Sequence, residues 1–298
     1  MFDKFFQQRL AFRIVLGSIT AAVLSFLLFA VLYAIAPENN GLNGLQLITH
    51  SVLDNRDRMC ILYMLSVETI CIFLVPAWIL LTAIYRSPLR TLRRPSKSDL
   101  PLTSLLIVIL LLTITNIPGI NLMSELNTDG IVAIIGKDSA LWLNYLKMER
   151  FTEQLISSEM LCINILCMAL IPAVCEEIFF RGFMQTVATD VFRNVHAAIL
   201  VTALVFSILH GDVFNFIPRF VLGLLLGYLY VYTGKITIPI LAHLLHNTLV
   251  VLSTTLSDAS QILETIGTTD NKPLTGIASL LILSGFLIAI IKKDSRGK

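Results

Sequence analysis

This chain has little charge. Only 14% of its 298 residues are Asp, Glu, Lys or Arg, and 56% are hydrophobic. A soluble globular chain carries about 25% charged residues, so a soluble domain is excluded and a polytopic membrane protein is expected. The net charge of +2 is too small for an electrostatic nucleic-acid footprint, so no nucleic-acid partner is expected. The chain lacks C-x-x-C spacing among its five cysteines, Cys60, Cys71, Cys162, Cys167 and Cys175, which argues against a zinc ribbon or a thioredoxin-like redox pair. All five fall in or beside apolar runs and read as small packing residues. A nucleophilic Cys175 would need a basic neighbour, and the sequence offers none nearby. There is no H-E-x-x-H, no low-complexity tract and no internal repeat.

The apolar sequence that remains is divided into spans. A membrane-crossing helix needs about 20 apolar residues. Eight stretches qualify or come close: Ile14–Ala36, Cys60–Tyr85, Leu102–Ile120, Leu161–Thr186, His196–Leu209, Ile217–Tyr232, Ile236–Thr255 and Leu274–Ile291. The expected fold is therefore all-α, with about eight transmembrane helices. The first stretch ends in Ala34-Ile-Ala36, which resembles a cleavage site, but it exceeds the 7–15 residues of a secretory apolar region and reads as a retained anchor. The polar segment from Asn121 to Ser158 is expected to carry one short surface helix around Ala140–Arg150. The organisation reads as one integral membrane domain over 1–298: spans one to three plus a loop over 1–158, a core over 159–255, and the last span with a basic tail over 256–298.

The charges between spans alternate. Arg86, Arg90, Arg93, Arg94 and Lys97 crowd one loop against Asp99, and the tail holds Lys292, Lys293, Arg296 and Lys298 against Asp294. The loop before the last span holds Asp258, Glu264 and Asp270 against Lys272. By the positive-inside rule, both termini and the Arg86–Lys97 loop are expected in the cytoplasm. The protein is expected to be a multi-pass protein in contact with membrane lipids, in the plasma (inner) membrane if the source is bacterial.

Within this apolar chain, Glu176, Glu177 and Arg181 stand out. Each ionisable residue at a helix centre costs roughly 2.5–3.5 kcal/mol on insertion scales, and Leu would pack there without that cost. Glu177 and Arg181 are four apart and share a helix face, so they can pair. Glu176 lies a quarter-turn away and is free for another partner, which assigns Glu177–Arg181 a structural role and Glu176 a reactive one. A purely structural charge cluster is the alternative. Downstream, Phe206 and His210 close the fifth span, and His243, His246 and Asn247 lie on the seventh. His243 and Asn247 share a stripe, where interhelical hydrogen bonding would also explain them. Together, a carboxylate, two imidazoles and a carboxamide can activate water and stabilise an oxyanion. The same donors suit a divalent metal such as zinc, with Glu176, His210 and His243 as candidate ligands. Proton or ion relay in a transporter or channel is the competing reading, though the inverted repeats it favours are absent.

Helix rise allows one check on depth. If the fourth helix runs to about Asp190 and turns near Asn194, Glu176 lies roughly 21 Å and His210 roughly 24 Å from that turn, at 1.5 Å per residue. His243, counted from Lys235, lies only roughly 12 Å deep. Either the seventh span is tilted or indented, or the turn at Gly234 is itself deep.

The order Glu176-Glu177-x-x-x-Arg181, then Phe206-x-x-x-His210, then His243-x-x-x-Asn247 resembles the CAAX-protease and bacteriocin-processing family of intramembrane endopeptidases, which includes the type II CAAX prenyl endopeptidases. The resemblance covers about Leu161 to Thr255. It implies that Glu176 and His210 activate water, with or without a metal, and that His243 and Asn247 form an oxyanion hole. Glu177, Arg181 and Phe206 would support the site. The implied substrate is a peptide or protein, lipidated or not, entering a water-containing cavity near the cytoplasmic leaflet. Gly223 and Gly227 read as a close-packing pair on the sixth span, Pro172 as a kink in the fourth, and Trp78 and Trp142 as interfacial anchors or packing residues.

Overall fold

The computed structural model describes residues 2–35, 53–85, 92, 101–255 and 272–296. Apart from Leu92, the Arg86–Lys97 loop lies outside the described residues, as does the loop over 256–271 with Asp258, Glu264 and Asp270. Among the described residues there is no strand, and ten helices follow one another. They are α1 (Phe2–Ala34), α2 (Asn55–Ile84), α3 (Leu102–Thr115), α4 (Ile117–Ile135), α5 (Ala140–Leu155), α6 (Ser158–Phe192), α7 (Val195–Leu209), α8 (Phe216–Thr233), α9 (Thr237–Thr255) and α10 (Lys272–Arg296).

Five of these are long and apolar enough to cross a membrane: the Leu16–Ala34 part of α1, α2, α6, the Val213–Thr233 stretch that contains α8, and α9. The pair α3–α4 makes a sixth if its 42° bend is counted as one broken span. The chain is thus an integral membrane protein with five or six such helices among the described residues. Two of the eight expected spans, α7 and the Leu274–Ala289 part of α10, are shorter apolar helices. The polar segment 121–158 also departs from expectation. After a break at Asn116 the third span continues as α4 to Ile135, and the surface helix is longer than expected, Ala140–Leu155. Pro118 in the first turn of α4 explains the bend, since it has no N–H to give. Ser139 caps α5 by accepting from Trp142 N, which sets its start.

Two long helices are interrupted by π-turns, and in each helix the first such turn runs up to a proline. In α2 the π segment Ile70–Leu74 precedes Pro76, and in α6 the segment Leu166–Leu170 precedes Pro172. Widening the turn is one way a helix absorbs a residue that cannot donate its backbone bond. A second π segment in α6, Ile178–Met184, contains Arg181. Thr186 Oγ1 donates to the Arg181 carbonyl there at 3.2 Å.

Helix α6 is central, packed by α2, α7 and α9; α8 lies against α7 and α9, and α10 against α4. An apolar core joins Leu105 and Ile109 of α3, Leu226 and Leu229 of α8, and Ile238 and Ala242 of α9. Two tight turns set the depths of the helices that carry polar groups. Arg193, in the left-handed region at φ 51°, ends α6, and Asn194 caps α7 by accepting from His196 N and Ala197 N. Gly234, at φ 66°, ends α8, a conformation that glycine adopts without a Cβ penalty.

Candidate active site

The two carboxylates of α6 diverge as adjacent helical residues must, about 100° apart. Glu177 is fully buried and accepts from Arg181 Nη1 at 2.6 Å. It also accepts from His243 Nδ1–H at 2.9 Å, across to α9. Arg181, fully buried as well, donates from Nη2 to the Gly223 carbonyl of α8 at 3.0 Å. The Glu177–Arg181 pairing expected from the i,i+4 spacing is present. His243 was not expected to join it, because no spacing rule reaches between helices.

Glu176 faces α7 instead. Its residue is 8% exposed and its Oε2 has no hydrogen-bond partner. That oxygen lies 3.9 Å from His210 Nε2. His210 Nδ1 is 2.7 Å from the Phe206 carbonyl. A carbonyl can only accept, so the bond places the proton on Nδ1 and leaves Nε2 of the neutral ring as an acceptor. Two acceptors therefore face one another at His210 and Glu176.

Phe206 holds these halves together. Its ring, 1% exposed, lies 4.6 Å from the His210 ring, 5.9 Å from the His243 ring and 5.1 Å from Phe180, with the Arg181 guanidinium 5.0 Å from its centroid. That distance is within cation–π range. Asn247 sits half-buried one turn beyond His243 on α9. The 2.9 Å bond from His243 Nδ1 puts His243 level with Glu177, against the shallower depth counted from Lys235. Thr233, Gly234 and Ile238 are buried, and Lys235 and Thr237 between them are exposed.

Two side chains at the site had no motif to announce them. Gln185, fully buried, donates from Nε2 to the Gly227 carbonyl at 3.2 Å. It repeats one turn further along what Arg181 does at Gly223. The small-xxx-small spacing of Gly223 and Gly227 was the available signal. A Cβ on Gly223 would lie 3.0 Å from Ala203 Cβ, and one on Gly227 2.9 Å from Ile199 Cγ2. Both glycines let α7 approach α8 and leave their carbonyls open to α6. The second unannounced residue is Arg219, at the start of α8. It donates to Asp212 Oδ2 at 2.8 Å and lies within electrostatic reach of Glu176 and His210.

A cavity of about 870 Å³ opens beside His210, between α5, the 210–215 loop and the end of α9. The loop is held in place by polar contacts. Asn127 of α4 donates to the Val213 and Phe214 carbonyls, and Asn215 donates to Asp212 and Tyr145. Trp142, Tyr145 and Phe214 stack beneath it at ring distances of 4.5–5.4 Å. Asp212 has its carboxyl held below the usual value of 3.8: burial opposes ionisation, but Asn215, Arg219 and the Phe214 N–H outweigh it. Tyr85 at the end of α2 donates to Asp190 at 2.6 Å, so the start of the Arg-rich loop is level with the α6–α7 turn. His210 ends the helix that leaves that turn, and the cavity thus lies at the opposite end of the bundle. Entry near the cytoplasmic leaflet and a cytoplasmic Arg86–Lys97 loop cannot both hold for this cavity.

The candidate metal ligands Glu176, His210 and His243 are not gathered as a set. Among the described residues no group of three His, Cys, Asp or Glu side chains is arranged to hold a metal ion. The arrangement therefore does not fit a bound metal, and no chemistry is derived through one. The described cysteines are free, and Cys175 is buried.

Residues 158–249 match the model of the family described as Type II CAAX prenyl endopeptidase Rce1-like. A protein of Bacillus subtilis (strain 168) described as "Putative membrane peptidase YdiL" is 31% identical over 88 residues. That match covers 30% of this chain and 36% of the relative, so only about a third of each is compared. No solved structure matches. The matched segment contains Glu176, Glu177, Arg181, Phe206, His210, His243 and Asn247, and over that segment the chain is similar to the type II CAAX prenyl endopeptidases, the group its three motifs resemble.

Proposed function

We propose that the protein is an intramembrane endopeptidase in which Glu176 and His210 activate a water molecule. The observation that carries this reading is the facing pair of acceptors, Glu176 Oε2 and His210 Nε2, 3.9 Å apart, one of them buried without a partner. A water with two protons to donate and a free lone pair fits between two acceptors about 4 Å apart, given hydrogen bonds of about 2.8 Å. Its lone pair attacks the carbonyl carbon of a peptide bond, and Glu176 takes the proton as the C–O bond forms. Collapse of the tetrahedral intermediate breaks the C–N bond, and the proton on Glu176 passes to the departing amine. The products are a carboxylic acid and an amine, with nothing left on the protein.

His243 and Asn247 serve the developing oxyanion in this scheme. The Asn247 carboxamide is a neutral donor. His243 keeps Nδ1–H on Glu177, so it donates from Nε2 only when both nitrogens carry protons. Arg181, Glu177, Gln185 and Phe206 hold the parts in register. The Arg86–Lys97 loop lies in the cytoplasm, eight apolar segments cross or enter the bilayer, and the cavity beside His210 opens on the opposite side. The substrate is then a membrane-associated or secreted peptide.

The decisive test compares purified wild-type and Glu176→Gln protein for cleavage of membrane peptides, with new termini identified by mass spectrometry. Loss of a general base costs about 10²–10⁴-fold in rate. Undiminished proteolysis by folded Glu176→Gln protein would remove Glu176 as the base.

A further inference from the structure

We propose that the cavity beside His210 selects peptides carrying Lys or Arg near the bond to be cut, through Glu149 and Glu153 of α5. This deepens the reading above and rests on it for the cleavage step alone. Among the described residues the cavity wall contains Glu149, Glu153 and Asp212 and no Lys or Arg. Asp212 is answered by Arg219 at 2.8 Å, which leaves two carboxylates in excess. Lys147 and Arg150 of the same helix are exposed and do not line the cavity.

The placement of these acids is costly to α5 itself. Glu149 and Glu153 are four residues apart, and like charges at that spacing destabilise a helix. The carboxyl of Glu149 is pushed above its usual value by burial first, and then by Glu153 and Asp212. A cation lodged between them would relieve both effects. The α5 face toward the cavity follows the helical period, with Leu141, Tyr145, Met148, Glu149 and Thr152 along one stripe. Leu141, Tyr145 and Met148 come first and the acids Glu149 and Glu153 follow, a surface suited to a segment that carries both apolar and cationic residues. At the inner end stands His210, and behind it Glu176 with its unpartnered Oε2. A Lys or Arg side chain held at α5 leaves the adjoining peptide bond free to extend toward that pair. Acidic segments would be repelled from the same wall, so the selection works in both directions.

Binding can be measured without cleavage. Three fluorescent 12-residue peptides would differ only at two central positions, Lys-Lys, Ser-Ser or Glu-Glu. Each would be titrated by anisotropy against full-length Glu176→Gln protein in detergent. The Lys-Lys peptide is expected to bind at least about 10-fold tighter than the Glu-Glu peptide, and adding Glu149→Gln and Glu153→Gln should reduce that ratio about 3- to 10-fold, two partly exposed charge pairs being removed. Raising the salt to about 1 M, where the Debye length falls to about 3 Å, should shrink the preference as well. Asp138→Asn, an exposed acid away from the cavity, should leave it intact. Equal binding of the three peptides, or a preference that survives both glutamine substitutions, would overturn the proposal. Selective binding without cleavage by the wild type would sink the peptidase reading and spare this one. Cleavage indifferent to charge would do the reverse.

Discussion

Glu177→Gln should destabilise the protein far more than its shape change implies, and removing Arg181 as well should restore much of the loss. Glu177 Oε1 receives both Arg181 at 2.6 Å and His243 at 2.9 Å in a fully buried position. A glutamine oxygen can still accept from His243. It cannot answer the guanidinium, which keeps only the Gly223 carbonyl and the Phe206 face. Breaking one side of a buried ion pair costs about 3–5 kcal/mol. Because the Glu176 charge remains nearby, a loss near 3 kcal/mol is expected. In Glu177→Gln/Arg181→Met the buried guanidinium is gone. The main residual defect is the Gly223 carbonyl without its donor, worth about 1–3 kcal/mol. The double variant should therefore be more stable than Glu177→Gln alone by about 1 kcal/mol or more. Reversible unfolding in mixed micelles, fitted for all four members of the cycle, measures the coupling directly. If the two losses simply add, to roughly 6–10 kcal/mol, the pair is not the unit described here and the division of labour between Glu176 and Glu177 fails with it.

Three further outcomes follow from other parts of the structure. Gly227→Ala places a Cβ 2.9 Å from Ile199 Cγ2 and 3.0 Å from Gln185 Oε1, so α7 and α8 must part; the unfolding free energy should fall by about 1–3 kcal/mol, and cleavage should drop with it. Asp212 has a depressed folded carboxyl value, so its contribution is full above the ordinary value of 3.8 and is lost as pH falls through the lower folded value; Asp212→Asn should lower stability at neutral pH and flatten that acid limb, read as unfolding midpoint against pH. In a variant freed of its native cysteines, Asp138→Cys should react with a membrane-impermeant maleimide added outside intact cells; protection until the cells are opened would place α5 and the cavity in the cytoplasm and reverse the topology.

Much of the site could be read from the sequence because its strongest signals are local. Charge in an apolar run marks Glu176, Glu177 and Arg181, and a four-residue spacing pairs the last two, all within one helix. What lay beyond reach involves contacts between helices. Nothing in the spacing of α9 says that His243 turns to Glu177, or that Gln185 repeats the action of Arg181 on the next glycine carbonyl. A count of residues from Lys235 did not place His243 level with Glu177, and the bond between them does. Span counting assumed helices of one length, and the structure varies them. Asn116 and Pro118 bend the third span and let it run on as α4, whereas α7 is too short by the same measure.

Glu176 and Glu177 each leave an Oε2 without a partner, so what singles out Glu176 for chemistry is the group that faces it. A cluster kept only for packing should satisfy its acceptors throughout, since an unpaired buried polar group costs about 1–3 kcal/mol and more if charged. Around Glu177 two donors reach Oε1 and the guanidinium is shared with a backbone carbonyl and an aromatic face, while Glu177 Oε2, Arg181 Nε and Gln185 Oε1 are left without partners. The open oxygen of Glu176 instead faces His210, which presents an acceptor of its own, fixed by the Phe206 carbonyl. Two facing acceptors repel unless a donor stands between them. The rigid half of the site, seated on the glycine carbonyls of α8, holds α6 in a register that keeps this opposition in place. A molecule with two protons to give relieves it, and water entering from the cavity beside His210 is such a molecule.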